Sequence, residues 1–339
     1  MNRPVRKTVS KPMSIEAEIL AELSSGGYTS GEAISRKLKV SRAAVWKHIG
    51  NLRRQGYEID ASPRLGYRIT GRPDRLLALE LKPRLETRVI GGDIIHYDEV
   101  ASTADVARDL AESGAPEGTV VIAERQTAGR GRLGRTWLTT PGTSIALSVV
   151  LYPPLPPAQV PLLSLAAGLA AGLAAGLAAA AAVKTTTGAE AGLKWPNDIY
   201  LEGKKVGGVL LEMAAELDRV KWVTAGIGLN VSSDFSGTEL KGSATSLAAG
   251  LGREVSRLDT AAALLNEFDR LYGLALEGEL APISEGFRSL DMLYGHYVEV
   301  RDGSRLVSGE ASGIDDSGHL LVRSSGAIIA IAGGEATLK

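Results

Sequence analysis

The residues best suited to chemistry form one basic, glycine-rich stretch, Glu124 to Trp137, which reads ERQTAGRGRLGRTW. Four arginines and three glycines share this stretch with one acidic residue. Arginine presents a rigid fork of donors that matches phosphate and carboxylate groups, and glycine lets the backbone approach a ligand closely. The stretch therefore predicts an anion-binding loop. Composition alone also allows a solvated basic turn.

A second segment, DEVASTADVA, places two hydroxyls where a predicted strand ends and a predicted helix begins. Ser102 and Thr103 can cap that helix, because a hydroxyl oxygen accepts hydrogen bonds from N–H groups of the first turn. They can equally bind a polar ligand at the helix N-terminus, where unpaired N–H groups point outward. The residues alone leave both interpretations open.

Two further segments add ionisable and amide side chains at turns. In KWPNDIYLEGKKVGGVLLE, Pro196 and Asn197 break a strand and leave Asp198 projecting. Lys205 precedes a Gly-Gly pair inside an apolar strand, a setting that favours a lysine facing a ligand over a solvated one. In GIGLN, the glycines permit close approach and Asn230 can hydrogen-bond a base edge.

The composition excludes several kinds of site. The 339 residues include no cysteine, which removes disulfides, thiolate metal ligands and a cysteine nucleophile, and which is typical of a reducing cytoplasm. The four histidines lack metal-ligand spacing, and GRGRLG lacks the spacing and the lysine of a dinucleotide or P-loop fingerprint. We therefore expect no metal site built by the protein alone. The basic N-terminus has no apolar core, so we expect no secretory signal.

An uncharged stretch, residues 162–183, has glycines spaced four apart, which is a pattern of packed membrane helices. Much of the stretch is alanine, however, which gains little from transfer into lipid, and polar segments that must share one site lie on both sides of it. We expect a buried helix, Pro161–Val183, packed closely on a sheet, and no membrane span.

The central part of the chain, residues 72–290, mixes strand and helix patterns. Alternating apolar residues predict strands at Ile94–Tyr97, Val120–Glu124, Ile145–Leu151, Leu193–Trp195, Ile199–Leu201, Val209–Met213 and Trp222–Ile227. Helical spacing predicts helices at Thr103–Ser113, Pro161–Val183, Leu258–Glu277 and Ala281–Ser289. Together they predict an α+β domain with a mixed sheet and helices on one face.

Residues 1–71 are predicted to form a winged helix-turn-helix. Helical stripes cover Ser14–Leu23, Gly31–Leu38 and about Arg42–Gln55, and two short strands then flank the turn SPRLG. The third helix is basic, and base contacts usually come from the first turns of such a helix. The candidate DNA-binding residues are Ser41, Arg42, Ala43, Lys47 and, in the turn, Arg64.

The charge distribution supports this prediction. Residues 1–72 hold 14 Lys and Arg against 6 Asp and Glu, a surplus of eight, whereas the remainder holds 24 against 33. A basic first part joined to an acidic remainder is typical of a nucleic-acid module in front of another domain. The alternative is a three-helix interaction domain whose basic face is only solvated.

The C-terminal residues, 291–339, alternate short apolar runs with turns, as in VEVRDG, HLLVRSSG and AIIAIAGGE. This alternation predicts a small antiparallel β-barrel. Such a domain can be a stabilising cap, or it can contribute to binding a ligand or partner, and the sequence does not decide between the two.

Taken together and in this order, AERQTAGRGRLGRTW, KWPNDIYLEGKKVGGVLLE and GIGLN resemble the biotin–protein ligases that also act as biotin operon repressors. The resemblance covers most of the chain. It implies a catalytic domain like that of class II aminoacyl-tRNA synthetases, a winged helix before it and an SH3-like barrel after it. It also implies a biotin–[acetyl-CoA carboxylase] ligase that uses ATP and Mg²⁺ to form biotinyl-5′-AMP.

The resemblance also implies roles for individual positions. Those matching the biotin site are Ser102, Thr103, Gln126, Gly129, Arg130, Gly131, Arg132, Lys205 and Gly226. Those matching the ATP and adenylate site are Arg132, Arg135, Trp137, Lys194, Asn197, Asp198 and Asn230. The implied catalytic residues are Lys205, Arg132, Arg135 and Asp198, with Asp198 acting through Mg²⁺ or the acceptor lysine.

The chain departs from the family pattern at two positions. Ala104 stands where an asparagine is usual, which puts one hydrogen bond to biotin in doubt. Leu133 stands where a further arginine often occurs, so the loop carries one positive charge fewer. Neither departure removes the arginines and the lysine expected to hold the anions.

The resemblance implies three partners. They are a biotin carboxyl carrier domain of acetyl-CoA carboxylase or another biotin-dependent carboxylase, operator DNA, and a second copy of the chain in a homodimer that forms with the adenylate bound. We expect a cytoplasmic protein with no membrane contact. The alternatives are a ligase without regulatory DNA binding, a biotin sensor without catalysis, and a lipoate–protein ligase.

Overall fold

A computed structural model of the chain describes residues 14–153, 160–216 and 219–339. The chain divides into two compact units between residues 74 and 75. The finer domain divisions predicted at residues 71 and 290 stay predictions.

The N-terminal unit is the predicted winged helix-turn-helix. Its elements are α1 (Ile15–Leu23), α2 (Gly31–Leu38), α3 (Arg42–Arg54), β1 (Glu58–Ser62) and β2 (Gly66–Gly71), and the two strands pair antiparallel. Ser14, Ser30 and Ser41 cap the three helices, each accepting a hydrogen bond from the backbone N–H three residues on, at 3.1–3.2 Å. Ile19, Ile34 and Ile49 are buried and belong to the core of this unit.

A seven-stranded mixed sheet organises the described part of the second unit. Its strands are β3 (Ile94–Val100), β4 (Val120–Gln126), β5 (Ser144–Leu151), β6 (Gly192–Lys194), β7 (Asp198–Leu201), β8 (Lys204–Glu216) and β9 (Arg219–Asn230). They lie in the order β3-β4-β5-β9-β8-β7-β6, with β3 and β4 parallel and the other neighbours antiparallel. All seven predicted strands are present, several of them longer than predicted.

The helices of this unit are α4 (Ala78–Leu81), α5 (Thr103–Glu112), α6 (Val160–Thr187), α7 (Leu247–Leu251), α8 (Arg257–Leu276) and α9 (Ala281–Leu290). The four predicted helices are confirmed, but the prediction that they share one face is wrong. Val120 and Ile122 belong to the core that α6 and α8 cover. Val121, between them, packs against Ala107 of α5. Because side chains alternate along a strand, α5 lies on the opposite face.

The long alanine-rich helix packs closely on the sheet, as predicted. A Cβ atom placed on Gly172 would lie 2.7 Å from Leu211 Cδ1 of β8, so only glycine fits at this contact without movement of Leu211. Ala175, Ala178 and Ala179 are fully buried beside it. Among the described residues, no helix is both long enough and apolar enough to cross a membrane.

The C-terminal segment forms the small antiparallel β-domain expected from its pattern. Its strands are β10 (Tyr297–Asp302), β11 (Arg305–Ile314), β12 (Leu320–Ser324), β13 (Ala327–Ile331) and β14 (Glu335–Leu338), in the order β13-β12-β11-β10-β14. It belongs to the same compact unit as the large sheet, because Trp195 Nε1 donates to the Gly318 carbonyl at 3.0 Å and both core regions are continuous.

Candidate active site

A cavity of about 410 Å³ opens on the α5 face of the large sheet. Fourteen of the fifteen residues proposed for biotin or nucleotide line it: Ser102, Thr103, Gln126, Arg130, Gly131, Arg132, Arg135, Trp137, Lys194, Asn197, Asp198, Lys205, Gly226 and Asn230. Gly129 is buried beside the cavity, and a Cβ there would collide with the Trp137 carbonyl. The structure thus brings segments up to 128 residues apart into one site, since the set runs from 102 to 230.

One end of the cavity is a buried network of hydroxyls and an amide. The Thr103 backbone N–H and hydroxyl both donate to Gln126 Oε1, at 2.8 and 3.1 Å. The Ser148 hydroxyl donates in turn to Thr103 Oγ1 at 2.9 Å. Thr103 and Gln126 are therefore fixed before any ligand arrives, and such pre-organisation lowers the entropy cost of binding.

The position of Ser102 distinguishes between helix capping and ligand binding, the two roles that the sequence left open for the hydroxyls. It occupies the N-cap position of α5, yet its side chain makes no capping hydrogen bond. Its Oγ is buried without a protein partner, and it lines the cavity. A buried unpaired hydroxyl is costly, so its position favours a polar ligand over helix capping. Ala104, next to it, contributes no side-chain hydrogen bond.

Arg130, the first arginine of the loop that lines the cavity, is held from two sides. Its Nη2 lies 2.9 Å from Asp105 Oδ1 on α5 and 2.6 Å from Glu212 Oε2 on β8. Two carboxylates from different elements therefore fix this guanidinium beside the hydroxyl network. Neither partner could be predicted from the sequence, because ion pairs between residues as far apart as Arg130 and Glu212 leave no local pattern.

The next arginine, Arg132, connects the loop to two other parts of the unit. Its Nη1 donates to Asn197 Oδ1 at 3.0 Å and its Nη2 to the Gly334 carbonyl at 3.1 Å. Burial lowers the pKa of Arg132, and the charge of Asp198 opposes that effect. The side chain remains a cation, because guanidinium groups do not lose their proton in proteins.

Arg135 and Leu133 form the outer part of the loop. Arg135 Nη2 lies 2.6 Å from Glu335 Oε1 and 2.8 Å from Oε2, so the C-terminal β-domain contributes a carboxylate to the site. Leu133, at the position of the missing arginine, has φ of 56° and is 71% exposed. Left-handed backbone is uncommon for leucine, so the loop tip holds an unfavourable local conformation in this structure.

The lysine and the aspartate predicted to face a ligand meet directly. Lys205 Nζ lies 2.6 Å from Asp198 Oδ1, and both side chains are partly buried. Gly208 leaves the space for this pair, since a Cβ there would contact Lys205 Nζ at 3.4 Å. A cation that lines the cavity, with its carboxylate beside it, can bind an incoming anion.

Two other residues that line the cavity suit a nucleotide base. Asn230 Nδ2 donates to the Thr245 carbonyl at 3.2 Å, while its Oδ1 is buried without a protein partner. The Trp137 indole lies directly over Gly228, where any Cβ would collide with it, and its Nε1 is also buried without a partner. An aromatic face with a free donor and a free acceptor can stack on a purine and hydrogen-bond its edge.

The candidate DNA-binding residues lie in the separate N-terminal unit. Arg42, Ala43 and Lys47 are exposed in the first two turns of α3, and Arg64 is exposed in the turn between β1 and β2. The fifth candidate, Ser41, is also exposed and caps α3 through its side chain. Trp46, which is not among these candidates, is 70% exposed on the same helix.

Comparison with known proteins places the chain among biotin protein ligases. The model of the biotin/lipoate A/B protein ligase family matches residues 98–230, a helix-turn-helix domain model matches 16–68, and the biotin protein ligase C-terminal domain model matches 295–339. The biotin protein ligase of Aquifex aeolicus, solved with biotin and ATP, is 30% identical with a TM-score of 0.61, and the match covers 73% of this chain and 98% of that one.

Similar curated proteins cover more of the chain. The bifunctional ligase/repressor BirA of Bacillus spizizenii is 39% identical over 87% of this chain and 89% of its own. That of Escherichia coli is 29% identical over 97% of this chain and 98% of its own. The biotin–[acetyl-CoA-carboxylase] ligase of Mycobacterium tuberculosis is 35% identical over 75% of this chain and 96% of its own.

The fold and the site define a protein ligase of the biotin/lipoate class, with a helix-turn-helix unit in front of it. Within that class, the chain belongs to the family of bifunctional biotin ligase/repressors.

Proposed function

We propose that this chain joins biotin to AMP, transfers the biotinyl group to a lysine of a carrier protein, and represses transcription when the adenylate is bound. As a family member it is a biotin ligase that uses ATP and carries a repressor's DNA-binding domain. The observation that carries the catalytic proposal is the convergence of Lys205, Arg132 and Arg130 with the unpaired Ser102 hydroxyl in one cavity.

The first step joins two anions that repel each other. A biotin carboxylate oxygen attacks the α-phosphorus of ATP, the new O–P bond forms, and the bond to the β-phosphate oxygen breaks to release pyrophosphate. Lys205 and Arg132 hold the carboxylate and the phosphate together and neutralise the charge that builds up. The step needs no protein nucleophile, which agrees with the absence of cysteine.

The second step consumes the mixed anhydride. The acceptor lysine attacks the biotinyl carbonyl carbon, the amide C–N bond forms, and the C–O bond to AMP breaks. Asp198 lines the cavity beside Lys205, and we propose that it accepts the proton that the amine loses or orients the amine. Keeping the anhydride under the arginine loop would limit its hydrolysis by water.

Mg²⁺ fits this site as the partner of the ATP phosphates. Mg²⁺ is usually held by one or two carboxylates together with substrate phosphates, and two carboxylates, Asp198 and Glu335, line the described cavity. Within the described residues no cluster of three or more metal-ligating side chains occurs. When bound, Mg²⁺ would neutralise charge on the departing pyrophosphate.

A direct test of the transfer uses mass spectrometry. The purified protein, biotin, ATP and Mg²⁺ are incubated with the recombinant carrier domain of a biotin-dependent carboxylase. We expect the carrier to gain the mass of one biotinyl group, and to gain none when its acceptor lysine is replaced by arginine. A carrier that stays unmodified while the ligase binds biotin would contradict the transfer step.

The carboxylates around Arg130 give a further prediction. We propose that Asp105 and Glu212 position Arg130 for biotin, so the double variant Asp105→Asn/Glu212→Gln should raise the KM for biotin about three- to tenfold with little change in kcat. Asp109→Asn is the matched control, because Asp109 lies one turn along α5 and is exposed. An unchanged KM in the double variant would show that the ion pairs only stabilise the fold.

For the repressor activity we propose a homodimer, formed with the adenylate bound, whose two winged helices bind a palindromic operator. Differential binding of the adenylate to the dimer-competent state would drive this shift. The location is proposed to be the cytoplasm.

Charge removal tests the DNA-binding surface. We expect Arg42→Ala and Lys47→Ala each to weaken operator binding about tenfold, with ligase activity intact, because each removes a phosphate or base contact. Lys184→Ala, which removes an exposed charge from the other unit, should change neither property. Full operator binding by the Arg42→Ala/Lys47→Ala double variant would show that neither residue contacts the operator. A wild-type protein that ligates biotin but binds no operator would favour a front domain that does not regulate.

A further inference from the structure

An exposed tryptophan lies in the middle of the candidate recognition helix. Trp46 has 70% of its surface exposed, although Val45 and Ile49 on either side of it in sequence are buried in the core. Tryptophan is a large apolar residue that is enriched where proteins bind partners. The core of the N-terminal unit does not bury this side chain, so its exposure indicates that it contacts a binding partner.

The neighbours of Trp46 indicate which partner that is. At 3.6 residues per turn, Arg42, Trp46 and Gly50 form one line along the helix, and Ala43 and Lys47 lie beside it. Arg42 and Lys47 are exposed, and the first 72 residues carry a surplus of eight positive charges. An indole between cations on a basic unit fits DNA better than it fits an apolar protein surface.

Gly50 adds an independent observation. It lies inside α3, where glycine is unfavourable because it loses more backbone freedom than other residues. A Cβ placed on it would meet nothing within 4 Å, so packing within the unit does not require a glycine here. Its effect is to leave an open notch on the exposed line, one turn beyond the indole.

We infer that Trp46 reads a thymine of the operator: the indole packs on the 5-methyl group in the major groove, and the Gly50 notch lets the helix approach closely. Apolar contact with the thymine methyl is an established mode of direct readout, and the first two turns of a recognition helix are where such contacts occur. The inference rests on the proposed DNA binding, and it adds a specificity residue to it.

The test uses the full chain with biotin and ATP and a duplex that the wild-type protein selects from a random library. We expect Trp46→Ala to weaken binding of this duplex on the order of tenfold, with Trp46→Phe intermediate and the salt dependence unchanged, since no charge is lost. Circular dichroism checks that the unit is folded. Equal losses on the selected and on a scrambled duplex would overturn the inference, because they would place the indole on the DNA backbone.

Uracil substitution makes the test specific. Replacing single thymines by uracil removes only the methyl group, and at one position per half-site we expect wild-type binding to fall about fourfold, the equivalent of ~0.8 kcal/mol for one buried methyl group. Trp46→Ala should show no loss at that position. If every thymine-to-uracil effect persists in Trp46→Ala, the inference is wrong.

The variant Gly50→Ala tests whether the notch matters for DNA binding. It should raise the thermal stability of the helix and yet weaken operator binding, a combination that a merely structural residue does not give. Binding equal to wild type would overturn the role of the notch. A wild-type protein that biotinylates its carrier but selects no DNA would instead refute the proposed DNA binding itself.

Discussion

Lys205→Ala is expected to slow the formation of biotinyl-AMP by about 10²- to 10³-fold, the typical effect of removing one group that stabilises charge in a transition state. Lys205 Nζ lines the cavity 2.6 Å from Asp198 Oδ1, and we propose that the biotin carboxylate and the α-phosphate approach each other beside it. Without this cation, their repulsion is opposed mainly by Arg132. Single-turnover conversion of radiolabelled ATP measures the effect.

The neighbouring lysine provides a matched control. Lys204 is exposed at the start of the same strand, and its side chain is on the other face because of the strand alternation. Lys204→Ala should therefore form biotinyl-AMP at the wild-type rate. If Lys205→Ala is folded and also keeps the wild-type rate, Lys205 does not act in adenylation and the roles proposed for the cavity must be reassigned.

Glu124→Gln is expected to destabilise the larger unit by about 3–5 kcal/mol, the usual cost of leaving a buried charge without its partner. Glu124 Oε2 lies 2.9 Å from Arg257 Nη2, and Arg257 is only 2% exposed. Glu124 Oε1 accepts from the Leu76 N–H at 2.9 Å and lies 3.1 Å from His96 Nε2. Urea unfolding followed by circular dichroism measures the change, with the exposed Glu112→Gln as the control.

The same carboxylate predicts a dependence of stability on pH. Burial by itself raises the pKa of Glu124, but the hydrogen bonds of His96 and Leu76 and the charge of Arg257 outweigh burial and lower the pKa from 4.5 to about 2. A lowered folded-state pKa stabilises the fold above pH 4.5, and this stabilisation, about 3 kcal/mol, is lost as the pH falls toward 2. If the Glu124→Gln protein loses stability between pH 4.5 and 2 as steeply as wild type does, Glu124 is not the source of this pH dependence.

Local patterns predicted most of the elements. The helical stripes placed α1, α2 and α3 to within one residue of their ends because helical spacing is a local signal, and the seven central strands followed from short apolar runs. The face on which α5 packs could not be predicted, because alternation shows that a strand has two faces but not which helix covers each. That error concerns the face on which the cavity opens.

The sequence predicted the residues that line the cavity, but it did not predict the carboxylates that hold the loop arginines in place. The arginine loop, Lys205 and Asn230 could be found because their types and local spacing are unusual. Glu335 contacts Arg135 from 200 residues away, and Asp105 contacts Arg130 from another element. The sequence does not show which loop arginine each carboxylate contacts, so only the folded chain shows that they hold the loop.

The measurement that most directly tests the central claim is exchange of labelled pyrophosphate into ATP by the wild-type protein, with biotin, with lipoate and with neither acid. The account predicts exchange that depends on biotin and on Mg²⁺, and little or none with lipoate. Exchange that is supported by lipoate and not by biotin would show that the substrate is lipoate. A folded protein that shows no exchange with biotin, ATP and Mg²⁺ would contradict the ligase assignment.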